Sequence, residues 1–123
     1  MEKNKTFCVI EDNTPNRKLF AMLIKKSGYN VVDFENAATS LNWLNANYAD
    51  LIIVDILLPD MNGSELLKEI KQMPHLKDSV VIAITGFSSS QDRDKFLAMG
   101  FDGYISKPIN TATFIADLEQ FLK

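Results

Sequence analysis

Five short apolar runs most constrain what this chain can fold into. They are Phe7 to Ile10, Val31 to Phe34, Leu51 to Val54, Val80 to Ile84, and the short pair Tyr104-Ile105. They are rich in β-branched residues, and several are continuous instead of alternating with polar residues. A strand wetted on one face alternates; a strand covered on both faces does not. The continuous runs therefore predict strands packed from both sides.

The segments between the runs carry helical spacing. Leu19, Phe20 and Leu23 share one face of the first, and Leu41 and Leu44 mark the second. Leu66, Leu67 and Ile70 mark the third, and Phe96, Leu97 and Met99 the fourth. Phe114, Ile115, Leu118, Phe121 and Leu122 form the clearest stripe, in the fifth. The punctuation agrees. Thr14 is placed to cap the first helix, with Pro15 at its first helical position. Gly28 and Gly100 sit where the first and fourth helices should end. Pro74 should stop the third, and Asn110 is placed to cap the fifth. A β-α unit repeated five times predicts an α/β domain, a parallel sheet with helices on both faces joined by right-handed crossovers.

Composition narrows the class. At 123 residues with 46% hydrophobic and 24% charged side chains, the chain predicts one globular domain with its own core. A net charge of −3 argues against a direct nucleic-acid footprint, which needs clustered Lys and Arg. Cys8 is the single cysteine, so no internal disulfide can form. No apolar run approaches the ~20 residues that span a bilayer, and the first residues lack a signal-peptide core. The expectation is a soluble cytoplasmic domain without membrane contact.

In open α/β sheets, ligands bind beyond the carboxyl ends of the strands. The first strand runs into Glu11-Asp12, the third into Asp55, the fourth into Thr85-Gly86, and the fifth into Ser106-Lys107-Pro108. A strand-end aspartate is often a turn former, so Asp55 alone decides nothing. If the first and third strands are neighbours, three carboxylates converge. Like charges that close cannot all stay ionised unaided. A divalent cation resolves the conflict, and hard oxygen ligands in an incomplete protein shell suit Mg²⁺. Asp55 then has a chemical use, as a nucleophile on phosphorus. Phosphoryl transfer depends mainly on positioning and charge cancellation. Lys107 offers a point charge for one phosphoryl oxygen and the Thr85 hydroxyl a donor for another.

The motifs VIEDN (Val9 to Asn13), DILLPDMNG (Asp55 to Gly63), TG (Thr85-Gly86) and SKP (Ser106 to Pro108), in this order and spacing, resemble those of response-regulator receiver domains over essentially the whole chain. EDNTPNRKLF together with KPI is most similar to stand-alone receivers of the cell-division type and to hybrid-kinase receivers. The resemblance implies a flavodoxin-like (βα)5 three-layer sandwich with strand order 2-1-3-4-5, the order the general rule for such sheets is itself illustrated with. It implies one receiver domain over residues 1–123 with no output domain. It also implies a phosphoryl group taken from a sensor histidine kinase or a histidine phosphotransfer protein, and a downstream protein effector. Asp55 becomes the phosphoacceptor. Glu11, Asp12 and Asp55 hold Mg²⁺ with the backbone carbonyl of Leu57. Thr85 and Lys107 bind the phosphoryl group, Lys107-Pro108 is a cis peptide, and Thr85 and Tyr104 form the switch that changes a face made by the fourth helix, fifth strand and fifth helix. The protein is then no metabolic enzyme, catalysing only its own phosphorylation and slow dephosphorylation. Leu57 and Phe87 flank the path of attacking water, and both being bulky and apolar predicts a long-lived acyl phosphate.

Two other readings compete. A haloacid-dehalogenase-like phosphatase also uses a strand-end aspartate, but needs an acid two positions on, where this chain has Leu57. A pseudo-receiver would bind partners without phosphorylation, which the complete set Glu11, Asp12, Asp55, Thr85 and Lys107 argues against. Cys8 reads as a small buried hydrophobe, Trp43 as packing on the second helix, and His75 as a loop residue with no partner in view. Ser88, Ser89 and Ser90 read as a loop that caps the fourth helix.

Overall fold

The computed structural model describes residues 4–86 and 89–122. Strands β1 (Thr6–Ile10), β2 (Asn30–Phe34), β3 (Leu51–Asp55), β4 (Val80–Thr85) and β5 (Gly103–Ser106) form one parallel sheet in the order β2-β1-β3-β4-β5. Helices α1 (Thr14–Lys26), α2 (Ala37–Ala46), α3 (Gly63–Lys71), α4 (Ser90–Met99) and α5 (Phe114–Glu119) connect or follow them. A 3₁₀ turn at Pro74–Leu76 lies between α3 and β4. The order reverses at β1, so the next strand beside it is β3, and the two carboxyl ends flank a switch point.

The continuous apolar runs are explained by two cores, one on each face. Successive strand residues point to opposite faces. Phe7, Val9, Leu51, Ile53, Ile82 and Ile84 pack with Phe20 and Ile24 of α1 and Phe114 and Leu118 of α5. Cys8, Ile10, Ile52, Val54, Val81 and Ala83 pack with Leu44, Leu66, Leu67, Ile70 and Phe96 from α2, α3 and α4. All five residues of β3 are buried, as the middle of the sheet requires.

Local signals were read with a few displacements. The α1 cap is Asn13, whose Oδ1 accepts from the Asn16 N–H at 2.9 Å, and Thr14 is already helical. Gly28 at φ 99° and Gly100 at φ 116° end α1 and α4 in the left-handed region that Gly tolerates. Asn110 does not cap α5 directly. Its Oδ1 accepts from Ala112 N–H at 2.9 Å in a turn, and regular α5 begins only at Phe114. His75 does have a partner: its Nε2 lies 2.6 Å from the Leu44 carbonyl, tying the 3₁₀ turn to the end of α2. Trp43 packs against Phe34 with ring centroids 6.0 Å apart. Burial drives the Cys8 thiol far above its ordinary range, so it stays a neutral core group.

Candidate functional site

Register explains why the charged residues meet. Ile10 pairs with Val54, so Glu11 and Asp55 leave neighbouring strands at the same level. Asp55 pairs with Ile84, and Thr85 with Ser106, which puts Thr85 and Lys107 just beyond. The Lys107 N–H donates to the Thr85 carbonyl at 2.8 Å. Its side chain then turns back toward the ends of β1 and β3, where the Glu11 and Asp55 carboxylates reach out to meet it. The Lys107-Pro108 peptide is cis, as read from the sequence.

The three carboxylates converge. One oxygen each of Glu11, Asp12 and Asp55 lie within 4.8 Å of one another. Glu11 and Asp55 are buried and Asp12 is exposed, so the cluster opens to solvent on one side. Lys107 Nζ lies 3.1 Å from Glu11 Oε1 and 3.4 Å from Asp55 Oδ2. Glu11 Oε2 accepts from the Asn13 N–H at 3.1 Å, and Asp55 Oδ1 from the Leu57 N–H at 3.1 Å. Arg17 steadies the loop entering α1: its Nη1 donates to the Glu11 carbonyl and its Nε to Asp33 Oδ2, each at 3.0 Å.

One ammonium does not neutralise two buried carboxylates and a third beside them. Burial first, then the hydrogen bond and charge of Glu11, push the Asp55 carboxyl up to about 7, against the pull of the Leu57 N–H and Lys107. Burial opposes the charged form of Lys107, but its bonds and proximity to Glu11 and Asp55 outweigh that and raise it. Carboxylates short of positive charge, with one side open, fit a hard divalent cation that keeps waters. The donor set is all oxygen, which excludes a preference for soft metals.

Thr85 closes β4 as a buried residue beside this cluster. Tyr104 on β5 is half-buried and stacks on Phe96 of α4, with centroids 6.0 Å apart and planes 17° from parallel. Its phenolic oxygen is buried and, among the described residues, has no hydrogen-bond partner. Leu57 is 59% exposed beside the cluster. Phe87 and Ser88 lie outside the described residues. Ser89 caps α4, its Oγ accepting from the Asp92 N–H at 3.0 Å.

Sequence reasoning missed what holds the loop after Asp55. A Cβ on Gly63 would stand 2.8 Å from Ile56 Cα and 2.9 Å from the Asp55 carbonyl oxygen. Only Gly lets α3 start that close to the strand end, and the signal was present as the last residue of the DILLPDMNG motif. Asp60 also escaped notice. Its carboxylate accepts from the first two N–H groups of α2.

Comparison with known proteins agrees with this geometry. Residues 7–119 match the family model of the response regulator receiver domain. The polar-differentiation response regulator DivK of Brucella anthropi is 36% identical over 118 residues, covering 96% of each chain. A response regulator from Burkholderia pseudomallei, solved with a phosphorylated aspartic acid, calcium ion and citrate, is 27% identical with a TM-score of 0.82, over 94% of this chain and 66% of that one. The chemotaxis response regulator CheY4 of Vibrio cholerae superposes with a TM-score of 0.91 over 97% of this chain and 99% of that one; at 23% identity this speaks to the fold alone. The chain therefore belongs to the response regulator receiver domain family, the modules of two-component signalling that are phosphorylated on an aspartate beside a metal ion.

Proposed function

We propose that Asp55 is the phosphoacceptor, that Glu11, Asp12, Asp55 and the Leu57 carbonyl hold Mg²⁺, and that Lys107 and Thr85 bind the arriving phosphoryl group. The observation that carries this is the convergence of three carboxylates and the Lys107 ammonium at one strand end. A carboxylate oxygen of Asp55 attacks phosphorus, and the P–N bond of a donor phosphohistidine breaks. The electron pair leaves with the imidazole, which takes up a proton. A divalent ion held by Glu11, Asp12 and Asp55 would supply positive charge for the phosphoryl oxygens. Lys107, 3.4 Å from Asp55, covers another oxygen. Because Asp55 is raised by burial and Glu11, it gains most from cations that restore its charged form.

The phosphoryl donor in this reading is a sensor histidine kinase or a histidine phosphotransfer protein in the cytoplasm, and output passes through a separate protein. The near end-to-end match with DivK relatives supports that reading. The domain is catalytic only toward its own aspartate. Aspartyl phosphate carries roughly one more negative charge than the carboxylate. Thr85 and Tyr104 convert that change into a new face on α4, β5 and α5. The stacking of Tyr104 on Phe96 supports the coupling of β5 to α4. A Tyr104→Ala protein that signalled normally would remove Tyr104 from the switch. Leu57, exposed and apolar at the mouth, offers attacking water no hydrogen bond, and we assign it with Phe87 to a slow loss of phosphate. Acyl-phosphate decay in Leu57→Asn and Phe87→Glu should be faster than in the wild type.

Beryllofluoride with Mg²⁺, a phosphoryl mimic, separates this function from a phosphorylation-independent receiver. Amide chemical shifts on α4 and β5 should move in the wild type and not in Asp55→Asn. Identical spectra with and without the mimic would favour the phosphorylation-independent reading.

A further inference from the structure

We propose that Asp60 is a positioning residue for the metal-dependent site, holding the loop after Asp55 against the start of α2 and thereby fixing the backbone at Leu57. The inference rests on the ligand set proposed above, in which the Leu57 carbonyl takes part. Asp60 Oδ1 accepts from the Ala37 N–H and Oδ2 from the Ala38 N–H, each at 2.9 Å. The two residues it grips lie 22 and 23 positions earlier in the chain.

α2 does not need this contact to be capped. Its own Asn36 already accepts from the Thr39 N–H at 2.9 Å. The extra bonds use donors that a helix leaves unpaired in its first turn, and they place a carboxylate at the positive end of the helix dipole. The Ala37 N–H holds the Asp60 carboxyl below its ordinary range, against the opposing effect of desolvation, so the grip stays charged at neutral pH.

Side-chain packing reaches this loop only through Leu58, buried in the core, and Met61, partly buried against it; Leu57, Pro59 and Asp60 are exposed. Its ends are tied by the bridge between Leu57 and Asn62 and by the Gly63 N–H to the Ile56 carbonyl at 2.8 Å. Asp60 sits between those ties. α2 is a firm post for it, because Ala37, Ser40 and Leu44 are buried. A metal ligand contributed by a backbone carbonyl has no rotamer of its own. Its direction is set by whatever holds the loop, the role that outer partners of metal ligands commonly play.

The test compares Asp60→Ala with Asn36→Ala, which removes the other cap of the same helix but leaves the loop tethered. Mg²⁺ affinity is measured by calorimetry, melting temperature by circular dichroism, and exchange of the Leu57 and Gly63 amides by NMR in metal-free protein. Asp60→Ala should bind Mg²⁺ about tenfold more weakly and exchange those amides faster. Asn36→Ala should melt earlier yet keep wild-type affinity and exchange. Wild-type affinity in Asp60→Ala, or an equal loss in Asn36→Ala, would overturn the proposal. A wild-type protein that bound no Mg²⁺ would instead sink the metal-site reading, and the exchange data would still judge the tether.

Discussion

Replacing Asp55 with Asn should stabilise the metal-free protein, and by more as the pH rises. The Asp55 carboxyl is raised from 3.8 to about 7, first by burial and then by Glu11. A raised carboxyl means the folded state binds its proton more tightly than the unfolded chain. Between these two values the native protein carries the extra proton, so stability falls as pH rises through the window and levels off above about 7. At ~1.36 kcal/mol per unit, the cost relative to a neutral side chain grows from roughly 2 kcal/mol at pH 5 to roughly 4 kcal/mol at pH 8. Asn carries no charge and keeps an oxygen for the Leu57 N–H, which Asp55 Oδ1 now accepts at 3.1 Å. The variant should therefore gain up to those amounts. Urea unfolding of both proteins with a chelator present, at pH values from 5 to 8, measures the difference directly. Saturating Mg²⁺ should then stabilise the wild type more than the variant, by mass action on the folded state. A variant less stable than the wild type, or a gain independent of pH, would refute the reasoning that the site stores unneutralised negative charge.

Three further substitutions probe separate parts of the account. Lys107→Met removes the cation nearest both buried carboxylates, so the Asp55 titration, followed by carbon NMR, should move above about 7; an unchanged or lower value would deny Lys107 its electrostatic role. Gly63→Ala should cost roughly 1–3 kcal/mol in chemical unfolding, because the new methyl meets the Ile56 backbone and the Asp55 carbonyl; wild-type stability would show that α3 can retreat freely. Tyr104→Phe deletes a buried hydroxyl with no partner among the described residues and should raise stability by up to ~1 kcal/mol, whereas a clear loss would reveal a bond the hydroxyl makes in solution.

The fold was legible because burial on both faces leaves a continuous apolar run, and five such runs separated by helical spacing admit few arrangements. The site was legible for a related reason. A parallel sheet brings every strand's carboxyl end to one edge, so residues that close the runs, Glu11, Asp55, Thr85 and Lys107, meet once the order is known. What escaped depends on distance in three dimensions. Asp60 reads as an ordinary turn aspartate until α2 is placed beside it. The His75 contact with the Leu44 carbonyl needs the 3₁₀ turn folded back on α2. Gly103 carries no signal in the sequence, yet a Cβ there would stand 2.5 Å from the Phe121 ring, so its absence is what lets Phe121 pack on β5. The α1 cap was displaced by one residue because Asn13 and Thr14 both accept hydrogen bonds, and local chemistry alone does not choose between adjacent acceptors.

The central claim is that one strand-end aspartate takes a phosphoryl group when a divalent ion is beside it. Incubation with acetyl phosphate and Mg²⁺, followed by intact-mass and peptide analysis, tests that most directly. The account predicts a single base- and hydroxylamine-labile phosphoryl group on the peptide carrying Asp55, abolished by chelator and absent from Asp55→Asn. No uptake with abundant Mg²⁺, or label on another residue, would contradict it.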